Sequence, residues 1–294
     1  MFSKILIPVS SEGFSEKAIE RATQLVSFSN GKIFILYIIE EKMLDEVREV
    51  SDYAMTKETK QKLRKNIIEE REKIAKDVII EKIDEIISNK NVELEIEPIQ
   101  IGEFSDSISN FLKSGEVGLI FLGFKQRKFL EYRVIKRSNL PLWLYKKEKE
   151  DIKPLVVVSN LTVNDIATDS IFDLAKKFNL KKLDLKYAID YSSEKRYERT
   201  KEGIKEKKES RKKIRKESKR FIEEFRQKCE RNNITPDVEI IKDNMEDVAI
   251  EGARKHNSDL IIIGDIMKKD RLTLKENIDK KIVEKAPCSV LLAR

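Results

Sequence analysis

The stretch that decides the fold is "SDLIIIGDIMKKDRLTLKENIDKKIVEKAPCSVLLAR", residues 258–294. A continuous aliphatic run ends at Gly264, a helical pattern follows around 274–285, and a second aliphatic run, "SVLLA", fills 289–293. Runs this short and this uniformly apolar read as strands buried on both faces. Strands of that kind separated by a helix come together as parallel neighbours.

Working outward, the same alternation occupies the whole chain, twice. The first copy opens with "KILIPVS" (4–10), a helix carrying Ala18, Ile19, Ala22, Leu25 and Val26, and "KIFILYII" (32–39). A charged helical region follows to about Asn89, then "VELEIEPIQI" as a strand, a helix from Phe104, "VGLIFLGF" (117–124), a short helix and "PLWLY" (141–145). The order restarts at Lys153 with "PLVVVS" (154–159), a helix over 162–179, "KLDLKYAI" (182–189) and a charged helix to about 233. It closes with "DVEII" (237–241), a helix over 245–256 and the quoted stretch. An internal repeat predicts two α/β domains, 1–147 and 153–294, with the charged linker "KKEKEDIK" (146–153) between them.

The 294 residues suit two domains, and 40% hydrophobic residues supply their cores. No apolar run approaches the roughly 20 residues that span a bilayer. The opening "MFSKILIPVS" has no cleavable-leader pattern, so the expectation is a cytoplasmic protein without membrane insertion. Cys229 and Cys288 match no metal or disulfide spacing and read as buried or idle thiols. Lys, Glu and Ile dominate while glutamine is confined to positions 24, 61, 100, 126 and 227, a thermophile-like balance.

The residues at the two ends of this pattern carry a resemblance. "KILIPVSSEGFSEKAIERA" is similar to the opening strand and helix of the universal stress protein family, and "SDLIIIG" with "IVEKAPCSVLLA" to its fourth strand and ending. The chain thus resembles a tandem of two such domains. The resemblance implies two doubly wound, five-stranded, mostly parallel sheets flanked by helices. It also implies that their last strands pair, here as an intrachain pseudo-dimer, with further homo-oligomers possible on the same principle.

ATP-binding members of that family carry an Asp after strand one and a G-x2-G-x9-G-(S/T) run after strand four. Glycines there let backbone amides close around phosphates. The chain departs from both features. Ser10 and Ser159 stand at the Asp position, Gly264 matches the first glycine, and the later ones fall on Met267 and on Asn277, or Glu276 if counted back from "APC". Gly123 in the first half is followed by a segment about eight residues shorter than the motif's usual span. Ser10, Gly123, Ser159, Gly264, Met267 and Asn277 therefore mark a degenerate nucleotide pocket. The glycines read as strand-end turns, and no cofactor is expected.

Other chemistry is weakly signalled. "SSEGFS" (10–15) is similar to a pyrophosphate-binding loop but lacks its adjacent glycines and its Asp, so helix capping explains it. His256, the only histidine, reads as a cation near a helix C-terminus; no nucleophile elbow accompanies it, and no metal site is expected. The charge is more informative. Residues 195–220 hold 14 basic and 5 acidic side chains, Lys207, Lys208, Arg211, Lys212, Lys213, Arg215 and Lys216 among them. Such a run is either a solvated helix or a surface for an acidic partner or polyanion.

The expectation is a non-catalytic universal stress protein that works in stress response by binding a partner or small ligand, its ATP site largely lost. The alternative is a nucleotide-binding switch or weak ATPase with a rebuilt site in the second half.

Overall fold

A computed structural model describes residues 1–10, 15–40, 56–88, 90–124, 130–149, 151–191, 201–265 and 276–294. The chain divides into two compact units, Met1–Leu142 and Trp143–Arg294.

In the first unit β1 (Lys4–Ser10) lies between β2 (Lys32–Glu40) and β5 (Leu119–Gly123), all parallel. Beyond β2 come β3 (Glu93–Ile96) and β4 (Gln100–Gly102), both paired with β2 and also parallel. The segment 92–101, read as one strand, is interrupted at 97–99, where its register on β2 slips by one residue around Pro98. Ile5, Leu6, Ile33, Ile35, Leu36, Leu119 and Ile120 are buried, as strands covered on both faces require.

Helix α1 (Glu16–Ser27) starts where the Ser15 hydroxyl accepts the Ala18 N–H, and it buries Ala18, Ile19, Ala22, Leu25 and Val26. The charged region forms α2 (Lys57–Ile74), a π-helical turn at Ala75–Ile80 and α3 (Glu81–Ile87), which packs on α1. Helix α4 (Phe104–Phe111) is capped from β2, for the buried Glu40 carboxylate accepts the Phe104 N–H at 2.9 Å. Glu103, just before α4, holds Arg133 of α5 (Leu130–Arg137) at 2.9 Å and takes a hydrogen bond from Ser105 at 2.5 Å. Strand β6 (Leu142–Tyr145) falls at the boundary between the units.

The second unit repeats the plan. Its sheet runs β11-β10-β7-β8-β9, where β7 is Pro154–Ser159, β8 Lys182–Ala188, β9 Thr235–Ile241, β10 Leu260–Gly264 and β11 Ser289–Ala293. All of these pairings are parallel. Helix α6 (Asp165–Lys177) begins later than the expected 162, because residues 160–164 are spent in a turn. Helix α7 is a continuous 31-residue rod, Lys201–Arg231. Helix α8 (Met245–His256) is capped by Asn244, whose side chain accepts the Asp247 N–H, and ends at Asn257 in the left-handed conformation. Helix α9 (Glu276–Lys285) ends under Lys146, whose ammonium donates to the carbonyls of Val283 (2.5 Å) and Ala286 (2.8 Å).

Candidate functional site

In a doubly wound sheet the ligand crevice lies beyond the carboxyl ends of the strands, where strand order reverses. In the second unit that place is the end of β7 and β10, which are neighbours, so Ser159 and Gly264 do come together. Of the described residues, the turn 160–164 lies between them. Ser159 is fully buried; its N–H donates to the Thr162 hydroxyl at 2.9 Å, and its own hydroxyl accepts the Leu161 N–H at 3.0 Å. The Thr162 N–H reaches the Ser159 carbonyl at 3.4 Å, and the Val163 N–H reaches the Asp265 carbonyl at 2.7 Å.

Each of these amides thus already has a protein acceptor, whereas a phosphate cradle needs N–H groups left open to the ligand. The turn lies against Gly264 so closely that a β-carbon there would collide with the Val163 carbonyl. Asn160 locks the turn sideways: its side-chain oxygen accepts the Asp190 N–H at 2.8 Å and its amide donates to the Asp190 carbonyl at 2.9 Å. Leu161 and Thr162 are buried in consequence. Met267 lies outside the described residues, and Asn277 belongs to the first turn of α9.

In the first unit Ser10 and Gly123 end the adjacent strands β1 and β5, both half-buried. A β-carbon on Gly123 would stand 3.1 Å from that of Ser15. The segments 11–14 and 125–129 that follow these two residues lie outside the described residues.

The basic run occupies the first two-thirds of α7; residues 195–200 are outside the described part. From Ser218 onward the helix is anchored: Phe221 packs on Tyr187 with ring centroids 5.7 Å apart and Phe225 on Phe172 at 5.5 Å, with Ile222 and Cys229 buried beside them. Between 204 and 217 no described side chain is buried. Lys208, Lys212, Lys213, Arg215 and Lys216 are exposed, while Lys207 and Arg211 are half-buried, Arg211 with its guanidinium 4.6 Å over the Tyr191 ring. Lys205, Lys208, Lys212, Lys216 and Lys219 recur every three or four residues and form one exposed ridge.

Burial pushes the Cys229 thiol up to about 11 and that of Cys288 to about 12, so both are unreactive packing residues. Reading His256 as a lone cation missed its neighbours. Asp184 of β8 lies 3.3 Å from its Nδ1, and Asp237 of β9 is beside them. No spacing reveals this trio, since each residue comes from a different element.

A doubly wound parallel α/β unit with its switch point at a strand-end glycine is the class of protein defined here. Residues 1–146 match the Universal stress protein family, and this part of the chain belongs to it. The whole chain shares its fold with a universal stress protein from Archaeoglobus fulgidus, at 15% identity and a TM-score of 0.63, over 100% of this chain and 99% of the other. A functionally unknown protein from Pseudomonas aeruginosa has the same fold at 14% identity and a TM-score of 0.55, over 99% and 92% of the two chains. No curated protein matches the chain. Among the described residues no helix is long and apolar enough to cross a membrane.

Proposed function

We infer that the protein is a non-catalytic universal stress protein that acts in the cytoplasm during stress by binding a partner, the ATP site of its second unit being closed. The observation that carries this reading is the turn 160–164, in which the Leu161, Thr162 and Val163 N–H groups are spent on the protein and the Val163 carbonyl occupies the approach to Gly264. The partner surface is the exposed basic ridge of α7, suited to an acidic protein or polyanion.

Isothermal titration of the intact chain with ATP and Mg²⁺ tests the first part. The expected outcome is no saturable heat up to millimolar ATP. Micromolar affinity, or ATP turnover, would sink the reading in favour of a nucleotide-dependent switch. Pairing of the two halves through their last strands belongs to the same proposal, because "LPLWLY" (140–145) and "SVLLA" are too apolar for bare edges. Slow amide exchange in both stretches is expected; fast exchange in both would count against it.

A further inference from the structure

We propose that Asp184, Asp237 and His256 form a binding site for one divalent transition ion of the zinc class. The site lies towards the amino ends of β8 and β9, opposite the end that holds Ser159. Asp184 and Asp237 are cross-strand partners in the β8–β9 register, so their carboxylates stand side by side on one face. Like charges placed directly opposite one another repel, and the pair calls for a cation. The last turn of α8 brings His256 over the same face, with Nδ1 3.3 Å from one Asp184 oxygen. One ligand atom from each of the three lies within 4.8 Å of the others.

A further observation points to an ion rather than to a finished charge network. The cation that now faces the carboxylates is Lys182, 3.3 Å from Asp184 and 2.9 Å from Asp237, on a side chain that is 57% exposed. Ion pairs of that exposure are weak, and a flexible lysine can swing into solvent. Lys186, the other nearby ammonium, is buried and engaged with Glu239, so it does not contend for the site.

The donor set selects the metal. One imidazole nitrogen with two carboxylates suits zinc or cobalt, whereas magnesium and calcium prefer oxygen ligands alone. Tetrahedral zinc with bonds of about 2.0–2.2 Å places its ligand atoms roughly 3.3–3.6 Å apart. The three groups therefore close in by about 1 Å, a movement the 45%-exposed Asp237 side chain can make. Three protein ligands leave the fourth position to water.

The test is titration of the full chain with zinc, and with cobalt followed by visible absorption, with magnesium as the control. Expected are one equivalent bound, a tetrahedral cobalt spectrum without thiolate bands, and no magnesium binding at the same concentration. Asp237→Asn and His256→Gln should each weaken zinc binding by at least about tenfold. Lys182→Met removes the competing ammonium and should tighten it several-fold. Unchanged affinity in His256→Gln, or no gain in Lys182→Met, overturns the proposal. Circular dichroism confirms that each variant is folded; if His256→Gln is not, the surface changes Asp237→Asn and Lys182→Met decide.

Discussion

Val163 presents its backbone carbonyl to Gly264 so closely that no β-carbon fits between them. The glycine that resembles the start of a phosphate-binding run is therefore required by chain-on-chain packing. Gly264→Ala should force the 160–164 turn off the sheet and cost about 1–3 kcal/mol, the usual range for overpacking. Among the described residues, Gly123→Ala meets the side chains of Ser15 at 3.1 Å and Ala18 at 3.8 Å and no backbone, and should cost less than about 1 kcal/mol. Urea unfolding of both variants checks the contrast, and equal losses would contradict it.

Asn160 ties the end of β7 to the end of β8 through both polar atoms of its side chain. Asn160→Ala should cost about 1–3 kcal/mol, since the Asp190 backbone loses a donor and an acceptor in a buried place. Asn160→Asp keeps the acceptor alone and should fall between. Thermal melts order the three proteins; an alanine variant as stable as the parent would show that the turn holds without this link.

The Glu103 carboxyl is held down to about 2 from its usual 4.5 by the Ser105 hydroxyl and the Arg133 guanidinium, against an opposing desolvation. Because the folded state binds its proton more weakly than the unfolded chain, this contribution is complete above about pH 4.5. It is lost as pH falls through 4.5 towards 2. Glu103→Gln should flatten the acid limb of stability in that window and loosen α5 from α4. Chemical denaturation at pH 6, 4 and 3 measures it, and a parallel loss in parent and variant would assign the acid limb elsewhere.

Changing Lys208, Lys212, Lys216 and Lys219 together to Gln should abolish low-salt binding to a polyanion with little effect on folding, since all four are exposed. Binding of the parent to duplex DNA, used as a probe, should fall with salt at a slope of about −0.9 per phosphate contact. Filter binding at two salt concentrations reads both. Identical curves for parent and variant would leave α7 as a solvated rod.

The strands were legible because buried parallel strands are continuous aliphatic runs: 4–10, 154–159 and 289–293 were read with the bounds they have. The break at Pro98 was written in the sequence too, but the alternation on either side hid it. The π-helical turn at Ala75–Ile80 left no periodicity distinct from its flanking helices. Serine at the position of the family's Asp, Ser10 and Ser159, is legible in the sequence itself. That residues 160–164 fold back over Gly264 depends on bonds such as Asn160 to Asp190, and sequence distance conceals those. The same holds for Asp184, Asp237 and His256, where register and helix packing create the neighbourhood.

Strand β9 ends the second sheet, and its open side carries a chemistry of its own. Pro236 gives no N–H, while Asp237 and Glu239 are held by Lys182 and Lys186 across the β8 register. A stranger's strand arriving at this border meets a missing donor and two carboxylates. Colloidal behaviour follows from that: concentrated solutions should stay dispersed, and exchanging Asp237 and Glu239 for Val and Thr would turn the border into a template for fibrous growth.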